Sequence, residues 1–275
     1  MKTWKKLVAA AGAAGLALGL AACGGGDSAG GDTKLIVGAS PDPHAKILRY
    51  VADNLAEKQG IELEVKEYTD YIQPNEALNS GDLDANYYQT VPYFDDQTAK
   101  NNWQFDHGKG IHLEPLGIYS EKLKDIKDLK DGAKIGIIND PTNQARALKL
   151  LADNGLIKLP KDEKQQKVSV IAKSKEYNPR GFELPEVEGP QLVRALADVD
   201  IAVINGNFAQ LGGKEPSDAL ILESTENNPS LNILVWKKDS EKVEAIKKLD
   251  SLLHSPEVKA FIEKTWPNKA VLPGF

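Results

Sequence analysis

Apolar and polar positions along the chain switch between two periods, and the switches mark out the elements. "KLIVGAS" (34–40) reads as a strand, and "PHAKILRYVADNLAEKQG" (43–60) as a helix with apolar residues every three or four positions, stopped by Gly60. "IELEVKEYTD" alternates as a strand, "QPNEALNSG" is a short helix ended by Gly81, and "LDANYYQTV" is a further strand. A polar helix, "YFDDQTAKNN", precedes "GIHLEPLGIYS", which reads as one long strand. The order then repeats: strand "KIGIIND", helix to "DNG", strands "KVSVIAK" and "FELPEVE", helix "GPQLVRALADV", strand "DIAVING". "SLNILVWKK" predicts a last long strand, and "KVEAIKKLDSLLH" and "PEVKAFIEKTW" predict two amphipathic helices.

Strands alternating with helices at these lengths predict an α/β fold with mostly parallel sheets. Two echoes divide it. "VGASPDPHAKIL" and "IGIINDPTNQARAL" share strand, Pro-turn and helix, and "EALNSGDLDANYYQ" and "RALADVDIAVINGN" share helix, acidic turn and strand, with one member of each pair in each half. The expected architecture is two lobes, 33–114 with 233–275 and 115–232, joined by two crossing strands around a central ligand cleft. Loops beyond the carboxyl ends of the strands should face that cleft.

The first residues stand apart from this pattern. Lys2, Lys5 and Lys6 precede a short apolar run ending in "LAAC", which predicts a lipoprotein signal peptide over 1–22 with Cys23 as the lipid-modified residue. "GGGDSAGGD" then predicts a flexible tether, so that 23–32 links an extracytoplasmic body to the cell membrane. Cys23 is the only cysteine of the 275 residues, so no disulfide forms within the chain. Losing three lysines and no acidic residue takes the net charge from −6 to −9, which argues against nucleic acid as a partner.

Catalytic chemistry finds no motif: neither a G-x-S-x-G elbow nor a glycine-rich phosphate loop is present, so the chain reads as a non-enzyme with no cofactor. Of the four histidines only His112 has a second ligand type close by, Glu114, and one pair falls short of a metal site; His44 has no assigned role. Binding chemistry is better represented. Tyr71, Tyr87, Tyr88, Tyr93 and Phe94 gather at strand ends and loops, where flat rings suit an apolar or thioether side chain. Arg146 in "NDPTNQARAL" sits near an expected helix N-terminus, a poor place for a cation unless an anion joins it there. Its fork matches a carboxylate, while Asn205 and Asn232 offer amide oxygens suited to an ammonium.

Together, "TDYIQPNEALNSGDLDAN", "HLEPLGIYS", "NDPTNQARAL", "DVDIAVINGNFA" and "SLNILV" resemble the NlpA family of lipoproteins, the methionine-binding substrate-binding proteins of ABC importers. The resemblance runs from about Lys34 to Phe275 and implies a two-lobed periplasmic-binding-protein fold that closes on its ligand and docks on a permease driven by an ATPase. It also implies that Tyr71, Tyr88 and Tyr93 wall the methionine side chain, that Arg146 takes the carboxylate, and that Asn205 and Asn232 hold the ligand's other polar groups. Relatives often read "NxFQH" where this chain has "NYYQT", so Thr90 stands in place of a histidine beside the pocket. D-Methionine, a methionine-containing dipeptide or another amino acid are alternative ligands. A surface-anchored protein without a transport role is the alternative of another class.

Overall fold

The computed structural model describes residues 33–275; the expected signal peptide, Cys23 and the tether lie outside the described residues. Strand β1 (Thr33–Ala39) buries Leu35, Val37 and Ala39 on one face, as period-2 alternation requires. A helical stretch follows, with its regular α part at Lys46–Val51, and Gly60 ends it in a left-handed conformation. Then come β2 (Ile61–Glu67), the helix Gln73–Ser80 closed by Gly81 at φ 89°, and β3 (Ala85–Thr90). The first sheet is completed by β4 (Phe105–Leu113), and the chain leaves it through Glu114, Pro115 and Leu116.

The second sheet begins at once with β5 (Gly117–Tyr119) and adds β6 (Ile135–Ile138), β7 (Glu186–Val187), β8 (Ile201–Ile204) and β9 (Ile221–Leu222). The chain then returns to the first sheet as β10 (Asn232–Lys237) and, after the helices Val243–Leu253 and Pro256–Thr265, as β11 (Leu272–Pro273). The strand orders are β11-β4-β10-β3-β1-β2 and β7-β6-β8-β5-β9. Each sheet has its own core. Leu35, Val37, Ile47 and Leu48 pack with Ile246, Leu249, Val258 and Ile262 against the first, which brings the two terminal helices onto it. Ile118, Ile135, Ile137, Leu148, Leu151 and Ile201 fill the second.

Three sequence expectations need correction. The sheets are mixed rather than mostly parallel: β1 runs parallel to β2 and β3, and β6 to β7 and β8, but β10, β11, β5 and β9 all join antiparallel. A strand that crosses between lobes or returns to an edge is not constrained to the parallel sense of a βαβ unit. "KVSVIAK" is not a strand but a one-turn helix, Val168–Ile171, that buries its two ends at i, i+3 spacing, and of "FELPEVE" only Glu186–Val187 is strand. "GIHLEPLGIYS" is interrupted, because the chain leaves one sheet at Leu113 and enters the other at Gly117.

Register fixes the cleft side of the first sheet. Asn232, the first residue of β10, lies between Thr90 on β3 and His112 on β4, and β-bulges immediately after it shift the ladder. Bulges of this kind re-aim side chains.

Candidate functional site

The aromatic side of the cleft is held by one carbonyl. Tyr88, on β3, and Tyr93, in the first turn of the helix Val91–Asn101, both donate their hydroxyls to the backbone oxygen of Tyr71, at 3.0 and 2.9 Å. Tyr71 reaches across to the other lobe, where its hydroxyl donates to Asn207 Oδ1 at 2.6 Å and its ring stacks on Phe208 at 4.7 Å between centroids. Burial pushes all three phenols above their ordinary range, so they stay neutral. Behind them Asn75, Asn86 and Gln89 bond one another: Gln89 Nε2 donates to Asn75 Oδ1 (2.8 Å) and Asn86 Oδ1 (2.9 Å).

Arg146 is the sixth residue of the helix Pro141–Asp153, a turn further from the N-terminus than the sequence suggests. The helix start is served instead by Asp140, which accepts from Asn143 N at 2.9 Å. The guanidinium has a protein carboxylate of its own. Nε and Nη2 grip Glu223 at 2.9 and 2.5 Å, and Nη2 also donates to the Glu114 carbonyl at 3.0 Å. Glu223 in turn accepts from Leu116 N at 3.1 Å. Arg146 thereby ties the outgoing crossing (Glu114, Leu116) to the segment leading into the returning one (Glu223), and Nη1 takes no part in either bond.

Asn205 follows β8 directly and stands at the N-cap of the helix Gly206–Leu211. Its Nδ2 donates to Asn143 Oδ1 at 2.8 Å, and Asn143 Nδ2 donates to Asp140 at 3.2 Å. Asn232 Oδ1 faces His44 Nε2 at 2.9 Å. His44 contacts Glu114 Oε1 at 3.5 Å, and His112 Nε2 faces the same oxygen at 2.9 Å while its Nδ1 pairs with the Tyr87 hydroxyl. The sequence presents His112 and Glu114 as an isolated pair; the fold adds His44, and the three offer ligand-type atoms within 4.8 Å of one another. Their contacts are those of a buried hydrogen-bond network. Burial lowers His44 to about 4, partly opposed by Glu114, and lowers His112 to about 3. Burial likewise lifts Glu114 to about 7, against the pull of His44 and Arg146.

Tyr71, Tyr88, Tyr93, Arg146, Asn205 and Asn232 all line one cavity. His44, Gln89, Thr90, Glu114, Asn143 and Asn207 line it as well. Of these, His44 was recoverable from the rule that loops after strand ends face the cleft. Glu223 carries no sequence signal, since Arg146 lies 77 positions away. Four polar atoms of the lining are buried without a hydrogen-bond partner among the described residues: Glu114 Oε2, Asn205 Oδ1, Asn207 Nδ2 and His44 Nδ1.

The model that describes the NlpA lipoprotein family matches residues 35–275. The chain belongs to the NlpA lipoprotein family. Among curated members, it is 38% identical over 259 residues to the methionine-binding lipoprotein MetQ of Bacillus subtilis, covering 92% of this chain and 93% of that one. It is 36% identical over 272 residues to the D-methionine-binding lipoprotein MetQ of Salmonella typhi, covering 97% of each. Among solved family structures, a lipoprotein from Actinomyces odontolyticus is 56% identical with a TM-score of 0.83, over 88% of this chain and 99% of that one. A nutrient-binding protein from Burkholderia cenocepacia, solved bound to methionine, is 37% identical with a TM-score of 0.79, over 88% and 100%. The two-lobed family fold and the α/β class expected from the sequence are those of the structure.

Proposed function

We propose that the protein is an extracytoplasmic, lipid-anchored binding protein that captures L-methionine or a close analogue and delivers it to an ABC importer permease with its ATPase. The observation that carries this reading is the composition of the cavity: three neutral phenol rings on one side, a guanidinium and asparagine amides on the other. In this reading Tyr71, Tyr88 and Tyr93 wall the thioether, where sulfur–ring contacts contribute about 0.3–1.5 kcal/mol each. Arg146 offers Nη1 to the ligand carboxylate while Nε and Nη2 keep Glu223, and Asn205 and Asn232 hold the remaining polar groups. The lobes comprise 33–114 with 233–275 and 115–232, and they close about the crossings without any chemical step. Cys23 carries the lipid, which intact-mass measurement of membrane-extracted protein tests directly.

The names of the relatives support methionine as the ligand, and both L and D forms belong in the test. Isothermal titration with L-methionine, D-methionine, methionine-containing dipeptides and other amino acids is expected to give the largest affinity for a methionine. Absence of heat with every methionine ligand would sink the reading and favour an anchored protein with no transport role. The dipeptide alternative draws on a second feature, a groove of about 800 Å³ that shares Thr90, Asn143 and Arg146 with the cavity and would take an added residue.

A further inference from the structure

Polar atoms that are buried and lack a protein partner define what a site wants, and in this cleft two of them are oxygens, one of an amide and one of a carboxyl group that only accepts once ionised. Glu114 is 6% exposed and its Oε1 is held by His112 at 2.9 Å, which leaves Oε2 free. That oxygen lies against Gly206, where a Cβ would stand 3.2 Å from Oε2 and 2.7 Å from the Glu114 Cβ, so only glycine admits the carboxylate there. Gly206 directly follows Asn205, itself 6% exposed, whose Oδ1 is the second such oxygen. The orientation of Asn205 is dictated by a relay. The Asp140 carboxylate requires a donor and takes Asn143 Nδ2; Asn143 Oδ1 then requires a donor and takes Asn205 Nδ2; Asn205 is left presenting its oxygen to the cleft.

Two oxygens of this kind call for a group rich in N–H, and a carboxylate among them calls for a positive one. We infer that Glu114 Oε2 and Asn205 Oδ1 together receive the α-ammonium of the ligand, making Glu114 a specificity-determining residue that selects α-amino compounds over their α-hydroxy counterparts. The inference rests on the reading of the cleft as an amino-acid site. Arg146 fits the opposite end of the same zwitterion, since its Nη2 already anchors the backbone carbonyl of Glu114. The level of about 7 to which burial lifts Glu114 agrees with a carboxylate that lacks a full cationic partner within the protein.

The test compares L-methionine with 2-hydroxy-4-methylthiobutanoate, which keeps the carboxylate and the thioether and replaces the ammonium by a hydroxyl. Titration of the wild-type protein should give a preference for methionine of roughly 100-fold, the scale of one charged hydrogen bond lost and one charge left uncompensated. Glu114→Gln keeps an oxygen for His112 and sets an NH2 where Oε2 stood. It should cut the preference by about tenfold or more by weakening methionine, with the hydroxy acid nearly unchanged. Equal binding of the two compounds by the wild type overturns the inference even if the variant does not fold, as does full discrimination retained in Glu114→Gln. Binding of neither compound by the wild type overturns the amino-acid reading of the cleft, and the inference with it.

Discussion

The two sides of the cleft are finished to different degrees. On the side of the first sheet, the hydroxyls of Tyr88 and Tyr93 and the amides of Asn75, Asn86 and Gln89 have partners inside the protein, His44 Nδ1 being the exception. On the side of the crossing and the second sheet, Glu114, Asn205 and Asn207 each keep one buried polar atom without a protein partner. A satisfied wall is rigid and selects by shape; a wall with unmet hydrogen bonds selects by chemistry, because any ligand that fails to meet them leaves their desolvation uncompensated. The division matches the two ends of an amino acid, an apolar side chain and a charged backbone.

The largest expected break in this comparison is at Arg146. Arg146→Ala should weaken L-methionine binding in titration by about 2–5 kcal/mol, the usual range for truncating one partner of a buried charged pair. It should also destabilise the ligand-free protein, because Glu223 then loses both of its guanidinium contacts. A reciprocal pair of variants sharpens the contrast. Asn86→Ala removes a partner from both Asn75 and Gln89 and should cost about 1–3 kcal/mol of stability in urea unfolding, with little effect on affinity in the folded fraction. Asn205→Ala should do the opposite, weakening the ligand while leaving ligand-free stability closer to wild type.

Acid should also separate the two sides. His44 and His112 are held at about 4 and 3 in the folded state, below their ordinary 6.5, so the unfolded chain binds protons first and stability is lost as pH falls below 6.5. Glu114, raised to about 7 from 4.5, works the other way between pH 7 and 4.5, since the folded state takes its proton first. The shifted groups around it, His44, His112, Tyr71 and Tyr87, are unchanged in charge over most of that window. Urea titrations from pH 6.5 to 5 should therefore lose on the order of 1 kcal/mol per pH unit, the worth of one net proton, and Glu114→Gln should steepen the loss. The smallest effect belongs outside both walls: Lys149→Ala, which breaks an exposed pair with Asp153, should change stability by less than about 0.5 kcal/mol.

The periodic elements were legible in the sequence because local pattern determines them. Leu35, Val37 and Ala39 announce β1, and Gly60 and Gly81 announce the ends of the helices before them. Strand direction was not, since whether β10 inserts antiparallel between β3 and β4 depends on a return over more than 100 residues. Val168–Ile171 failed for a different reason: four apolar-rich residues suit a strand or one helical turn equally. For the cleft, the residues carrying a distinctive side chain (Tyr71, Tyr88, Tyr93, Arg146) could be picked out by type. Glu223 needed the fold, because what distinguishes it is a neighbour far away in sequence, Arg146.

The central claim is that this cleft holds methionine, and thermal unfolding tests it most directly. Protein unfolded and refolded to strip any bound ligand would be melted with and without L-methionine. At 100 times the dissociation constant, the ligand should add about 2.7 kcal/mol of stability and raise the melting temperature by several degrees. An unchanged melting temperature at millimolar L-methionine would contradict the claim.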